Sequence, residues 1–182
     1  IAGIGPFDQS ESADLFGGKS PNSALADRPD VLVFESAPLS EDVEVTGVVT
    51  ADLWISSSAL DTDFTVKLID LAPTNSDYPK GYAMNIVDSI MRVRYRNSWE
   101  KEELLEPGKI YPIHLRLAPT SNLFKAGHRI RVDISSSNFP RLDVNPNTGE
   151  PVGKHTHTVV AKNTLHCNSK YPSAINLPIV RT

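Results

Sequence analysis

The sequence predicts an all-β protein, an antiparallel two-sheet sandwich, on three observations. Long stretches alternate apolar and polar residues with a period of two. Turn chemistry recurs between them at short intervals. Only one segment, about two turns long, carries a helical pattern. Successive side chains of a strand point to opposite faces, so such alternation puts one face of each strand in a core. About eight or nine short strands result, which suits a sandwich, and the jelly roll is the named form that fits them.

Residues 1–30 differ in texture from the rest of the chain. They hold four of the ten glycines, are rich in Ser, Asp and Asn, and show no sustained periodicity. They read as an extended connector, and residues 31–182 as the sandwich domain. A first strand is expected over 31–34. Val43, Val45, Val49, Ala51, Leu53 and Ile55 then fall on odd positions, with Glu44, Thr46, Thr50 and Asp52 between them. Phe64, Val66 and Leu68 alternate with Thr65 and Lys67. Tyr111, Ile113, Leu115 and Leu117 alternate with His114 and Arg116, and Ile130, Val132 and Ile134 with Arg129, Arg131 and Asp133. The predicted core is Val45, Val49, Leu53, Phe64, Val66, Leu68, Ile113, Leu115, Ile130, Val132 and Ile134, with the charged partners on the solvated side. Further strands are expected over 81–85, 88–95, 156–165 and 174–180. Glu106-Pro107-Gly108-Lys109 has the Pro and Gly of a type II turn. Asn97 and Glu100 form the one helix-like signal, a short helix reaching Leu105.

Composition narrows the class. A chain of 182 residues suits one domain, 40% hydrophobic and 22% charged, of ordinary globular character. A net charge of −4 offers no electrostatic footprint for nucleic acid or an anionic membrane. No apolar run approaches the ~20 residues of a membrane-spanning helix. The single Cys167 excludes an internal disulfide.

Several residues invite a chemical reading. Asp61-Thr62-Asp63 could open a calcium loop, but a core strand begins at once, where further oxygen ligands would be needed. Their carboxylates are expected to accept backbone N–H bonds in the turn instead. His155, His157, His166 and Cys167 lack the spacing of a zinc site and read as polar residues on a solvated face. Trp54, Trp99, Tyr78 and Tyr82 could stack a sugar, which makes a carbohydrate-binding module the alternative function. A free-standing enzyme using its own His or Cys is a remoter one. Arg92, Arg94 and Arg96 read as a solvated or interface face. No glycine frames a serine as Gly-x-Ser-x-Gly, the nucleophile elbow of α/β-hydrolases. The expectation is no catalytic residue, no cofactor and no metal ligand.

The phrases GPFDQ (5–9), RPDVLVFESAPL (28–39), DTDFTVKL (61–68), GHRIRVDISSSNFPR (127–141) and YPSAINLPIV (171–180) are long and ordered along the chain. Together they resemble the C-terminal domain of the X-Pro dipeptidyl-peptidase and cocaine-esterase-like hydrolases. The resemblance implies an α/β-hydrolase domain with a Ser-His-Asp triad, a helical cap, and a C-terminal jelly roll of galactose-binding-like type. This sequence matches the third part alone. It is then a fragment without activity of its own, whose partners are the hydrolase and cap domains of the same parent and, in addition, copies of itself in a homo-oligomer. Ile1, Ile4 and Phe7, apolar in a polar setting, are the candidate domain-interface residues.

Overall fold

The computed structural model describes Gln9, residues 25–139 and residues 141–180; Ile1, Ile4 and Phe7 lie outside the described residues. One antiparallel sheet, sheet A, places β1 (Leu32–Glu35), β6 (Arg129–Ser135), β3 (Asp63–Ala72) and β4 (Tyr82–Arg92) side by side in that order. The other, sheet B, runs β5 (Tyr111–Phe124), β2 (Val43–Ser57), β7 (Asn163–Asn168) and β8 (Tyr171–Pro172), with β9 (Ala174–Asn176) also on β2. The two faces that the alternation marks as apolar meet as a β-sandwich, and the expected core residues are buried there. Ile130 alone among them is half-buried, packed against the rest. Each such side chain contributes about 1.5–3 kcal/mol on leaving water.

β2 is the long spine of sheet B. Along one edge it pairs with β5 from Val43 to Ile55, slipping register between Val48 and Thr50. Along the other it takes β7 at Trp54–Ser57, β9 at Thr50–Asp52, and finally a bridge from Val45 to Ile179. Gly47 makes that last approach feasible. Its φ is 138°, and a Cβ there would stand 3.1 Å from Pro178. The expected strand over 174–180 is thus β9 plus an interrupted continuation, because Pro178 has no N–H for a ladder.

Other expectations change in detail. The stretches 81–85 and 88–95 are one strand, β4, joined through Ile86 where the register with β3 shifts at Leu68/Ile69. After Arg92 the chain tightens into a single 3₁₀ turn, Val93–Tyr95. Asn97 caps no helix. The segment to Leu105 is irregular and tied down by Glu103 N–H to Arg94 O (2.8 Å) and Leu105 N–H to Leu60 O (2.8 Å). The 106–109 turn forms as expected, with Lys109 N–H donating to Glu106 O and Gly108 at φ 81°.

The 156–165 expectation shortens most. β7 begins only at Asn163, while Val159 is bound to a neighbouring loop through Pro146 O and Asn147 Nδ2. Most of that alternation is therefore loop, and Val160 is left 88% exposed.

Leu68→Ala should lower the unfolding free energy by about 2–5 kcal/mol, and Arg116→Ala, on the outer face of β5, should stay within about 0.5 kcal/mol of neutral. Urea titrations of both measure it, and equal losses would mean that the inward phase has been misassigned.

Candidate functional site

The polar face of sheet A is not solvated. Thr65, Lys67, Arg131 and Asp133, expected in water, are all buried, as is Ile69 beside them. Burial of these charges is tolerable because each finds a partner. Arg131 donates through Nε and Nη2 to both oxygens of Asp133, each at 2.7 Å. Arg141 pairs with Asp88. Lys67 Nζ donates to Gln9 Oε1 (3.1 Å), and Gln9, only 1% exposed, also donates its own N–H to Ala83 O on β4. Burial pushes the Lys67 ammonium below its ordinary value, against the opposing pull of Asp88 and Asp133.

A second buried network closes one end of the sandwich. Asp61 accepts from Arg94 N–H (3.0 Å), Arg94 Nε (2.8 Å) and Asn145 Nδ2 (2.9 Å). Asp63 accepts from Arg92 Nε (3.0 Å) and Nη2 (3.1 Å) and from Asn145 Nδ2 (2.7 Å). Burial raises the Asp63 carboxyl above its usual range, ahead of the opposing effect of Arg92 and Asn145. Arg94 reaches on to Glu102 Oε2 and Glu150 O. The expected backbone bond is therefore present only at Asp61. The arginine set is no solvated face either: Arg94 is buried, and Arg96 packs its guanidinium 4.5 Å from the centre of the Tyr111 ring. With their oxygens committed to arginines and an amide, these carboxylates hold loops together and have little left for a ligand.

The histidines stay apart. His155 and His157 are exposed in an irregular segment, His157 facing Glu150 at 3.6 Å. His166, on β7, lies with Nε2 3.0 Å from Ser56 Oγ. That distance suits a nucleophile and its base, but a working pair also needs a group that orients the histidine and donors for the oxyanion. Among the described residues no carboxylate bonds to the His166 ring, and none form a cluster of three or more His, Cys, Asp or Glu able to hold a metal. Cys167 is an exposed thiol. Trp54 is half-buried against Tyr171 at 5.3 Å between ring centres, whereas Trp99 stands 76% exposed on the irregular 97–105 segment. The aromatic residues do not assemble into one platform.

A further feature is a groove of about 850 Å³ beside the Lys67 network. Lys67, Asp133, Asn138, Val144, Val159 and Val160 are among its lining residues. Strand periodicity does not announce it. Alternation tells an apolar face from a polar one, and not whether the polar face is wet. The one available hint is the density of opposite charges on neighbouring strands, Lys67, Asp88, Arg131 and Asp133.

Among the described residues, the buried charged side chains serve as internal ties of the sandwich. Residues 6–176 match the model of the X-Pro dipeptidyl-peptidase C-terminal non-catalytic domain, and the chain belongs to that family. Cocaine esterase of Rhodococcus sp. is 42% identical over 166 residues, which cover 90% of this chain and 28% of the esterase. Among solved structures, an aminopeptidase from a marine sediment archaeon, Thaumarchaeota archaeon, superimposes with a TM-score of 0.81 at 35% identity. It covers 86% of this chain and 27% of its own. An α-amino acid ester hydrolase gives 0.80 at 34% identity, over 85% and 26%. The chain thus spans under a third of the length of these relatives.

The networks have measurable consequences. Arg94→Met should cost about 3–5 kcal/mol in urea unfolding, since it strips the buried Asp61 of its ion partner, and adding Asp61→Asn should return part of that loss. No recovery in the double variant would show that packing, not charge, sets the cost. For Lys67, the unfolded chain has the ordinary value of 10.5. Between the depressed folded value and 10.5 the unfolded state holds the extra proton. The lysine's contribution to stability therefore grows as pH rises through that window and is lost as pH falls. The slope is at most about 1.4 kcal/mol per pH unit. Wild type minus Lys67→Met should show this rise toward alkaline pH, and parallel curves would mean that Lys67 is hydrated.

Proposed function

We propose that this chain is the C-terminal accessory domain of a serine hydrolase of the X-Pro dipeptidyl-peptidase or acyl-esterase type. In this reading it forms one wall of the active-site cleft of an α/β-hydrolase domain that precedes it in the same polypeptide. The family match across residues 6–176, in relatives more than three times as long, is the observation that carries the reading. The chemistry is acyl transfer. A serine attacks an ester or amide carbonyl, a histidine takes the serine proton and returns it to the leaving group, an aspartate orients the histidine, and water releases the acyl group. All three belong to the preceding domain. The sandwich contributes rigidity, which keeps the cleft wall fixed and water excluded while charge develops.

A fluorophosphonate probe on the full-length parent protein should label one serine upstream of residue 1. Ser56→Ala should leave both the labelling and the turnover of p-nitrophenyl esters and Xaa-Pro anilides unchanged. Loss of labelling in that variant, or modified Ser56 in the peptide map, would make this domain catalytic and end the accessory reading.

A further inference from the structure

The two outer faces of the sandwich are finished to different degrees. On sheet B the outward polar residues satisfy one another in the open. Thr46 and Ser121 share a hydroxyl bond (2.9 Å), His114 Nδ1 lies 2.6 Å from Asp52, and Asn176 Nδ2 donates to Asp52 at 2.7 Å. On sheet A the groove beside Lys67 is incomplete. Val144 and Val160 are 55% and 88% exposed at its edge. Asn138, only 4% exposed, lines the same groove with an Oδ1 that accepts no hydrogen bond, and so does Asn163 Oδ1. Asn138 Nδ2 faces Asp88 Oδ2 at 3.4 Å, so a flipped amide would set oxygen against carboxylate. Turning Asn163 would merely exchange an orphaned oxygen for an orphaned NH₂. A buried acceptor without a donor destabilises the fold, a cost which an interface can remove.

The course of the chain says what reaches this face. Gln9 is fixed on it through Lys67 and Ala83, and Lys67 itself lines the groove. Eight residues span at most about 29 Å when extended, so whatever precedes residue 1 joins within that distance of Gln9. The family is a C-terminal domain, and most of the length of its relatives lies outside the matched part.

We infer that the outer face of sheet A, centred on the groove between Lys67 and Val160, is where the preceding catalytic domain seats. That domain would cover Val144 and Val160 with apolar side chains and bring N–H or O–H donors to the Asn138 and Asn163 oxygens. The assignment rests on the accessory reading above and adds the face to it. The exposed valines supply contact area at no desolvation penalty, while the orphaned amides fix the register, since only a donor in the right place repays them.

Thiol accessibility in the full-length parent protein tests it. Val160→Cys and, on sheet B, Ser121→Cys are labelled under native conditions with a maleimide and quantified by peptide mapping, so Cys167 and any other thiols do not interfere. Residue 160 should react about ten-fold or more slowly than residue 121, and the two should react equally in urea. Equal rates in the native protein, whether fast or slow, or faster labelling at 160, overturn the assignment of this face. The fluorophosphonate experiment reads the accessory role separately. A labelled upstream serine with an open residue 160 removes the face alone, whereas no upstream serine removes the reading beneath it.

Discussion

The contact between Arg94 and Asp61 ties more of this molecule together than any other polar interaction described. Neither side chain is more than 2% exposed. Asp61 stands just before β3, Arg94 lies in the 3₁₀ turn after β4, and the guanidinium extends to Glu102 and to the carbonyl of Glu150. One cation thereby collects the ends of two strands and two irregular segments. Desolvating such a pair costs several kcal/mol per ion, so its net contribution to stability is small. Its effect is on uniqueness. Through that buried cation the 97–105 segment is held at Glu102 and the 143–150 segment at the Glu150 carbonyl. Asn145 reinforces this by giving one amide to both Asp61 and Asp63, and from Asn145 onward the groove is framed.

The same logic governs the outer face of sheet A. Arg131 and Asp133 are two residues apart on one strand and point the same way, so their bidentate bond forms wherever that strand forms. Lys67 differs, since its hydrogen-bond partner is Gln9, remote in sequence. A neutral acceptor compensates an ammonium less well than a carboxylate does, and for this reason burial dominates at Lys67. Gln9 is thus coupled to the sheet by its hydrogen bond to the Lys67 ammonium.

Much of the sandwich was legible because strand periodicity is a local property. β2, β3, β5 and β6 each carry a regular period of two, and their inward residues are those read from the sequence. The family resemblance, carried by ordered phrases, was legible as well. What escaped was decided by pairs far apart in the chain. Arg92, Arg94 and Arg96 have the spacing of one strand face, but Asp61 draws Arg94 inward and a 3₁₀ turn breaks the strand between them. Val159 and Val160 continue the alternation of a strand, but Val159 spends its hydrogen bonds on the 146–147 loop. Lys67 and Asp133 look solvated on their own strands and are buried only once the sheet is assembled and Gln9 lies over it.

The edge of β2 that takes β7, β9 and Ile179 has a bearing on how the protein is made. β2 is synthesised early, yet the partners along that edge lie more than a hundred residues later. Until residue 179 has emerged, the spine of sheet B presents open N–H and C=O groups next to Val45, Ala51 and Ile55, the kind of edge on which nascent chains associate wrongly. The delay spans most of the domain's translation, and closing such long loops is slow in any case. Nascent copies are therefore vulnerable from the completion of β2 until residue 179 emerges, and slow translation through the codons for β7 to Ile179 would prolong that interval without changing one contact of the finished fold.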